Sequence, residues 1–307
     1  MKSNHIVDVK KLADGIKFPK SCPNIVLGIY PCRSASTKDL RVFAENGILS
    51  IYQLMKSRQR WLMQTPPQDR EYFIPKDAKT IFLKETIGYN KEDSQFNPLQ
   101  ILLAAGVPAE KITVFVSMRE PIATVTSWLE QFSFNGTTKN ELVKNAIIAY
   151  KTVDAIVTEA RTLHIKVIVN VYESLRDAPA NDIYQMIFRK LNLPFSEMSV
   201  KNWHLLPPLT NPQSGITFPV EPENFQHTPD HPIHSVVAIS HEPKYRKKSI
   251  KKIDNELTPQ QVKMLTKSNI FNIYDIYRKE ASQTLEIPIR ESHELKNYYK
   301  RHELLTK

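Results

Sequence analysis

Arg33, Ser34, Ser36 and Thr37 crowd one fixed positive charge and three hydroxyls into five residues. They follow an apolar, β-branched run, Ile25-Val26-Leu27-Gly28-Ile29-Tyr30, that reads as a buried strand. Leu40, Val42 and Phe43 then resume an apolar pattern that fits a helix. A strand, a small polar loop and a helix start make an anion cradle. The first N–H groups of a helix have no partner within it, and its macrodipole is positive there. An ordinary turn capped by Ser36 or Thr37 fits the same letters, because such caps are common.

Further chemistry-bearing residues stand at the ends of other apolar runs. Thr80-Ile81-Phe82-Leu83 turns abruptly into Lys84-Glu85-Thr86. In a parallel sheet, ligands sit beyond the carboxyl ends of the strands. Glu85 is therefore a candidate general base, with an ion pair to Lys84 or Arg33 as the alternative. Lys84 is a candidate to steady a leaving group. A third run, 111–118, leads into Arg119-Glu120-Pro121, where Pro121 suits the first turn of a helix. Ser127 follows Arg119 by eight residues, about two turns into that helix. A basic run at 244–252 contains Arg246, Lys247 and Lys248, and its alternative is a solvated loop. His227, Asp230, His231 and His234 could hold a metal, but their Pro-rich context favours an exposed loop and no metal is expected. Trp61, Tyr72, Tyr89, Trp128, Phe132 and Phe134 could line an acceptor pocket, with core packing as the alternative for most. Trp203 is expected in the core.

The elements that must position these groups alternate. Residues 1–24 read as a polar surface wrap, and 48–75 as a helix followed by a loop. A short helix is expected at 97–106, a long amphipathic one at 139–163, a fourth strand at 166–172 and another helix at 180–191. This alternation predicts an α/β fold with a parallel sheet flanked by helices on both faces. One domain is expected over 1–307, with its core at about 22–205. A loop-rich, Pro-bearing and basic segment covers 206–256, Thr258-Pro259 starts a helix reaching about 280, and 281–307 forms a peripheral tail.

The chain has 307 residues and a net charge of +10, from 42 basic and 32 acidic residues. That balance favours an anionic ligand or surface. Two cysteines, Cys22 and Cys32, make no disulfide framework, so a reducing, cytoplasmic setting is expected. No apolar run reaches the length of a membrane span, and no signal-peptide core is present. None of the seven glycines has the spacing of a Walker loop, and GxGxxG, HExxH and Gly-x-Ser-x-Gly are absent. No aromatic-glycine signature for RNA is present, so nucleic acid is not the expected partner.

Pro31-Cys32-Arg33-Ser34-Ala35-Ser36-Thr37 resembles the 5′-phosphosulfate loop of the sulfotransferases. Arg119-Glu120-Pro121 with Ser127 resembles that family's 3′-phosphate motif. Tyr172-Glu173-Ser174-Leu175, and later Leu193-Pro194-Phe195, resemble its Tyr-Glu-Asp-Leu and Leu-Pro-Phe segments, and Lys84-Glu85-Thr86 stands where it carries a Lys motif. Ala35 replaces the usual Gly, Cys32 shifts the proline by one, and no histidine occupies 86–88. The resemblance covers about 22–205. It implies a P-loop-like three-layer fold and the donor 3′-phosphoadenosine 5′-phosphosulfate, with 3′-phosphoadenosine 5′-phosphate left behind. Arg33, Ser34, Ala35, Ser36 and Thr37 would hold the 5′ end. Arg119 and Ser127 would hold the 3′-phosphate, with Arg246, Lys247 and Lys248 closing over it. The acceptor would be a hydroxyl or amine of a small molecule or carbohydrate. A degenerate binding protein on this fold and a phosphotransferase on a related scaffold are the alternatives.

Overall fold

The computed structural model describes residues 8–133, 136–205, 215–219, 243–246, 253, 256–292 and 297–298. The chain opens with α1 (Val9–Asp14), β1 (Ile16–Lys17), β2 (Asn24–Pro31) and α2 (Ser36–Glu45). β3 (Leu49–Tyr52), α3 (Leu54–Leu62), β4 (Tyr72–Phe73), β5 (Thr80–Ile87), α4 (Lys91–Ser94) and α5 (Pro98–Ala104) follow. Then come β6 (Ile112–Met118), α6 (Pro121–Phe132), α7 (Lys139–Thr162), β7 (Lys166–Val171), α8 (Ser174–Asp177), α9 (Ala180–Leu191) and α10 (Met198–Lys201). β8 (Ile216–Thr217), α11 (Pro259–Thr266) and α12 (Ile270–Leu285) complete the elements used below.

Six strands form one sheet in the order β7-β6-β2-β5-β3-β8, and every pairing is parallel. Strands β2 and β5 are buried along nearly their whole length, which is why they read as continuous apolar runs. Helices flank the sheet in the expected α/β manner. From α2, Phe43 stacks on Phe82 of β5 at 4.0 Å and tilts against Phe188 of α9 at 4.8 Å. Helix α7 packs along β2, β5, β6 and β7. Gly28 is required where β2 passes these rings, since a Cβ there would meet Phe82 at 2.7 Å.

The topology sets the location of the site. From β2 the chain runs through α2 to β3 on one side of the sheet. From β6 it runs through α6 and α7 to β7 on the other side. β2 and β6 are neighbours, so a crevice opens beyond their carboxyl ends.

Several expectations need correction. Residues 48–75 hold strands β3 and β4 as well as helix α3. β3 is only four residues long and Ser50 interrupts its apolar run, so periodicity cannot separate it from a loop. Within the expected surface wrap, α1 and β1 bury Leu12, Ala13 and Ile16. The helix expected at 258–280 is two, broken where Asn269 takes φ 66°, and the second runs to Leu285. The tail is not wholly peripheral, since Leu285, Ile289 and Tyr298 are buried. Trp203 lies in the core as expected, and Trp61, Trp128 and Phe132 take the core-packing alternative. No helix among the described residues is long and apolar enough to cross a membrane.

Candidate functional site

The loop after β2 is pinned from both sides. The Cys32 N–H donates to the Ile87 carbonyl at 3.1 Å, and Trp128 Nε1 donates to the Cys32 carbonyl at 2.7 Å. Between these anchors Arg33 and Ala35 both adopt left-handed backbone, at φ 66° and 68°. Left-handed residues turn successive N–H groups towards one concavity, which suits an anion. For non-glycine residues the conformation costs energy, and such strain gathers at functional sites.

Ala35 is the N-cap of α2, and no side chain caps that helix. The ordinary-turn alternative, with Ser36 or Thr37 as the cap, is therefore not what forms. Ser34 is buried, and its Oγ has no hydrogen-bond partner among the described residues. A buried hydroxyl without a partner is costly, so this one marks a place where a ligand oxygen would be welcome.

Residues far apart in sequence meet at this loop. Arg33 Nε donates to Ser127 Oγ at 3.2 Å across 94 positions, and Arg119 Nη1 donates to the Arg33 carbonyl at 3.3 Å across 86. Arg33, Arg119 and Ser127 thus stand together at this loop. Arg119 lies over the Tyr172 ring at 4.6 Å, and its buried Nε has no hydrogen-bond partner among the described residues. Its backbone is held by the Tyr150 hydroxyl, which donates to the Arg119 carbonyl.

Two carboxylates brace the turn that carries Arg119. Glu120 caps α6, accepting from the Ile122 N–H at 3.1 Å and the Ala123 N–H at 2.8 Å. Glu173 accepts from the Glu120 N–H at 3.2 Å and from the Tyr274 hydroxyl of α12 at 2.8 Å. Burial pushes Glu120 up to about 8, with the Glu173 carboxylate adding to the shift against the two N–H donors. Burial raises Glu173 as well, opposed by Arg119. Sequence reasoning used Glu120 and Glu173 only as motif letters. The bracing role depends on α12, more than 100 residues away, and carries no local signal.

Lys84 and Glu85 point apart, as successive strand residues must. Lys84 Nζ sits over the Tyr52 ring at 3.9 Å. Glu85 is fully buried, and its Oε1 accepts the Met55 N–H at 2.9 Å, at the start of α3. The alternative of an ion pair with Lys84 or Arg33 is not what the structure has. Glu85 Oε2 has no hydrogen-bond partner among the described residues. Burial pushes this carboxyl up to about 7, despite the Met55 hydrogen bond and the charges of Lys56 and Lys84.

Lys38 was missed in the sequence, where it reads as one more polar residue of the first helical turn. It is buried, lies over the Tyr172 ring at 4.5 Å, and donates from Nζ to the Lys244 carbonyl at 3.1 Å. A small cavity beside it is lined by Ser34, Ala35, Lys38, Asp39, Ser117 and Asn170. Burial pushes Asp39 up to about 6, against the hydrogen bond it accepts from the Tyr184 hydroxyl at 2.7 Å.

Of the basic run, Arg246 reaches the same corner, its N–H donating to the Tyr172 hydroxyl at 2.7 Å. Lys247 and Lys248 lie outside the described residues, as do Phe134, His227, Asp230, His231 and His234. Among the described residues, no three or more His, Cys, Asp or Glu side chains group as a metal site would need.

No protein-family model matches the chain, and no curated protein matches it.

Proposed function

We propose that the protein is a sulfotransferase that uses 3′-phosphoadenosine 5′-phosphosulfate, on a P-loop-like three-layer scaffold. The observation that carries this reading is the meeting of Arg33, Arg119 and Ser127 at the uncapped start of α2. The groups left open there are donors: Ser34 Oγ–H, Arg119 Nε–H and the first N–H groups of the helix. A donor-rich crevice fits a doubly phosphorylated nucleotide and suits no cation.

In this reading Ser34, Ala35, Ser36 and Thr37 hold the 5′ end, and Arg119 and Ser127 hold the 3′-phosphate. The donor supplies a sulfuryl group whose S–O bond to phosphate breaks as an S–O bond to an acceptor hydroxyl, or an S–N bond to an acceptor amine, forms. Arg33 and Lys84 neutralise the charge that builds on the departing oxygens. Glu85, held by Met55 through one oxygen, takes the acceptor proton on the other. The acceptor is a hydroxyl or amine of a small molecule or carbohydrate. A non-catalytic binder of the same nucleotide is the second reading, favoured by the full burial of Glu85. It predicts binding without turnover.

Calorimetry and thermal shift with 3′-phosphoadenosine 5′-phosphate, with ATP as control, test the donor site. Micromolar binding that is lost in Arg119→Ala is the expected result. A folded protein that shows no binding would overturn both readings.

A further inference from the structure

The turn that carries Arg119 is backed by two buried carboxyls, Glu120 and Glu173. Glu173 Oε1 accepts the Glu120 N–H at 3.2 Å, so the second side chain is fixed to the backbone of the first. All four carboxyl oxygens of the pair receive donors. The Ile122 and Ala123 N–H groups serve Glu120 at 3.1 and 2.8 Å, and the Tyr274 hydroxyl serves Glu173 Oε2 at 2.8 Å. These four donors are neutral groups. They stabilise a carboxylate without cancelling its charge.

The charged and titratable groups around the pair leave it with one close counter-charge. Arg119 opposes the upward shift of both carboxyls. Arg176 of α8 is held by Asp177 at 2.7 Å. Arg33 offers Arg119 its carbonyl and turns its own guanidinium to Ser127. Arg246 lies beyond Tyr172 and meets its hydroxyl through the backbone N–H. Burial raises Tyr150 of α7, Tyr274 of α12, Tyr172 and Tyr245 above the ordinary tyrosine value, so all four are neutral near pH 7. One guanidinium thus serves two carboxyls. Ionising both would leave a buried charge uncompensated, so the pair retains a proton between its members. Arg119 is also where an anion would dock, through its open Nε–H. A phosphate dianion there shares the guanidinium with the carboxyls and adds negative charge beside them. Both effects favour the protonated form of the pair.

We propose that Glu120 and Glu173 are positioning residues that couple Arg119 to a proton: when a phosphate dianion docks on Arg119, the pair takes up a proton from solvent onto a carboxyl oxygen. That the dianion is the 3′-phosphate of the donor rests on the proposed function, but the coupling of Arg119 to the pair does not. Linkage fixes the sign. Uptake on binding makes affinity fall as pH rises through the range in which the pair titrates, at most about tenfold per pH unit for one proton. Above pH 7 a phosphate monoester is already mostly dianionic, so its own titration contributes little there.

Calorimetry of the full-length protein with 3′-phosphoadenosine 5′-phosphate near pH 8, in two buffers of different ionisation enthalpy, counts the protons. The wild type should take up about half a proton or more, and its affinity should fall about threefold to tenfold per pH unit above pH 7. Glu173→Gln keeps an oxygen for the Glu120 N–H and turns an amide group to the Tyr274 hydroxyl, which can accept from it. With one carboxyl left to one guanidinium, uptake should fall at least about twofold and the pH slope should flatten. A merely structural role would weaken binding equally at every pH. Infrared titration of the ligand-free protein reads the coupling without a nucleotide, in a Glu85→Gln background that removes another carboxyl titrating nearby. The C=O stretch of the buried neutral carboxyl should fade as pH rises, and Arg119→Ala should move that fading upward by about one pH unit or more. Nucleotide binding without proton uptake, or an Arg119→Ala titration that coincides with the parent's, would overturn the coupling. If the nucleotide fails to bind while the infrared titration shifts as expected, the coupling stands and the donor assignment falls.

Discussion

Helices α2 and α3 each follow a parallel strand, and each starts behind a residue in left-handed backbone, Ala35 at φ 68° and Gln53 at φ 51°. Neither cap residue offers a side-chain hydrogen bond. Their surroundings then diverge. At α3, the Glu85 carboxyl accepts the Met55 N–H, so an acceptor of the protein's own already occupies the helix start. Helix α6 is similarly filled by its own Glu120. At α2, among the described residues, no carboxyl does this. Buried Ser34 Oγ, Arg33 and Arg119 stand there instead. The same backbone device is filled by the protein's own carboxyl in one place and not in the other, and in the proposed function that second place takes the ligand. A positive helix end attracts whichever anion is nearest.

The largest expected effect at the open end comes from Arg33→Ala. Removing one preorganised charge contact raises a barrier by about 3–4 kcal/mol, so sulfuryl-transfer turnover should fall at least about a hundredfold. Near wild-type turnover would place the reacting group elsewhere and leave α2 no different from α3.

The closed end should reveal itself through pH. Folded Glu85 titrates at about 7, above the ordinary glutamate value of 4.5, so folding favours its neutral form. The stability this gives is fully present below about 4.5 and is lost as pH rises through about 7. Glu120, at about 8, extends the loss upward. Denaturant unfolding should therefore show stability falling by a few kcal/mol between about pH 5 and pH 8. Glu85→Gln keeps an oxygen for the Met55 N–H and should make the part below pH 7 shallower, leaving the contributions of Glu120 and Asp39. An unchanged slope in that variant would mean that Glu85 is ionised throughout.

A smaller effect would turn one helix start into the other. Asp is a favourable N-cap residue and tolerates left-handed backbone. Ala35→Asp should leave unfolding stability within about 1 kcal/mol of wild type. It should also weaken binding of 3′-phosphoadenosine 5′-phosphate at least about tenfold, by supplying the internal anion that α2 lacks. Undiminished binding would show that the cradle is not at Ala35.

The sequence alone determined the strands that are buried on both faces and the residues at their carboxyl ends. β2, β5, β6 and β7 are runs of apolar, β-branched residues; Arg119 follows β6 directly and Arg33 stands two residues beyond β2, while Lys84 lies inside β5, where the apolar run turns polar before the strand ends. A strand end is a local fact, visible where an apolar run turns polar. The pairing of Arg33 with Ser127 was legible only as a resemblance between motifs, not as a distance. Tertiary structure alone decided what stands against each helix start. That Glu85 closes α3, that Ala35 rather than Ser36 or Thr37 precedes α2, and that Glu173 and Tyr274 brace the Arg119 turn all follow from the order in which strands lie side by side. Lys38 is ordinary in its own turn of helix and acquires its role from Lys244, 206 positions away. Local pattern records how a residue meets its neighbours along the chain, while charge and hydrogen bonding act through space across the sheet.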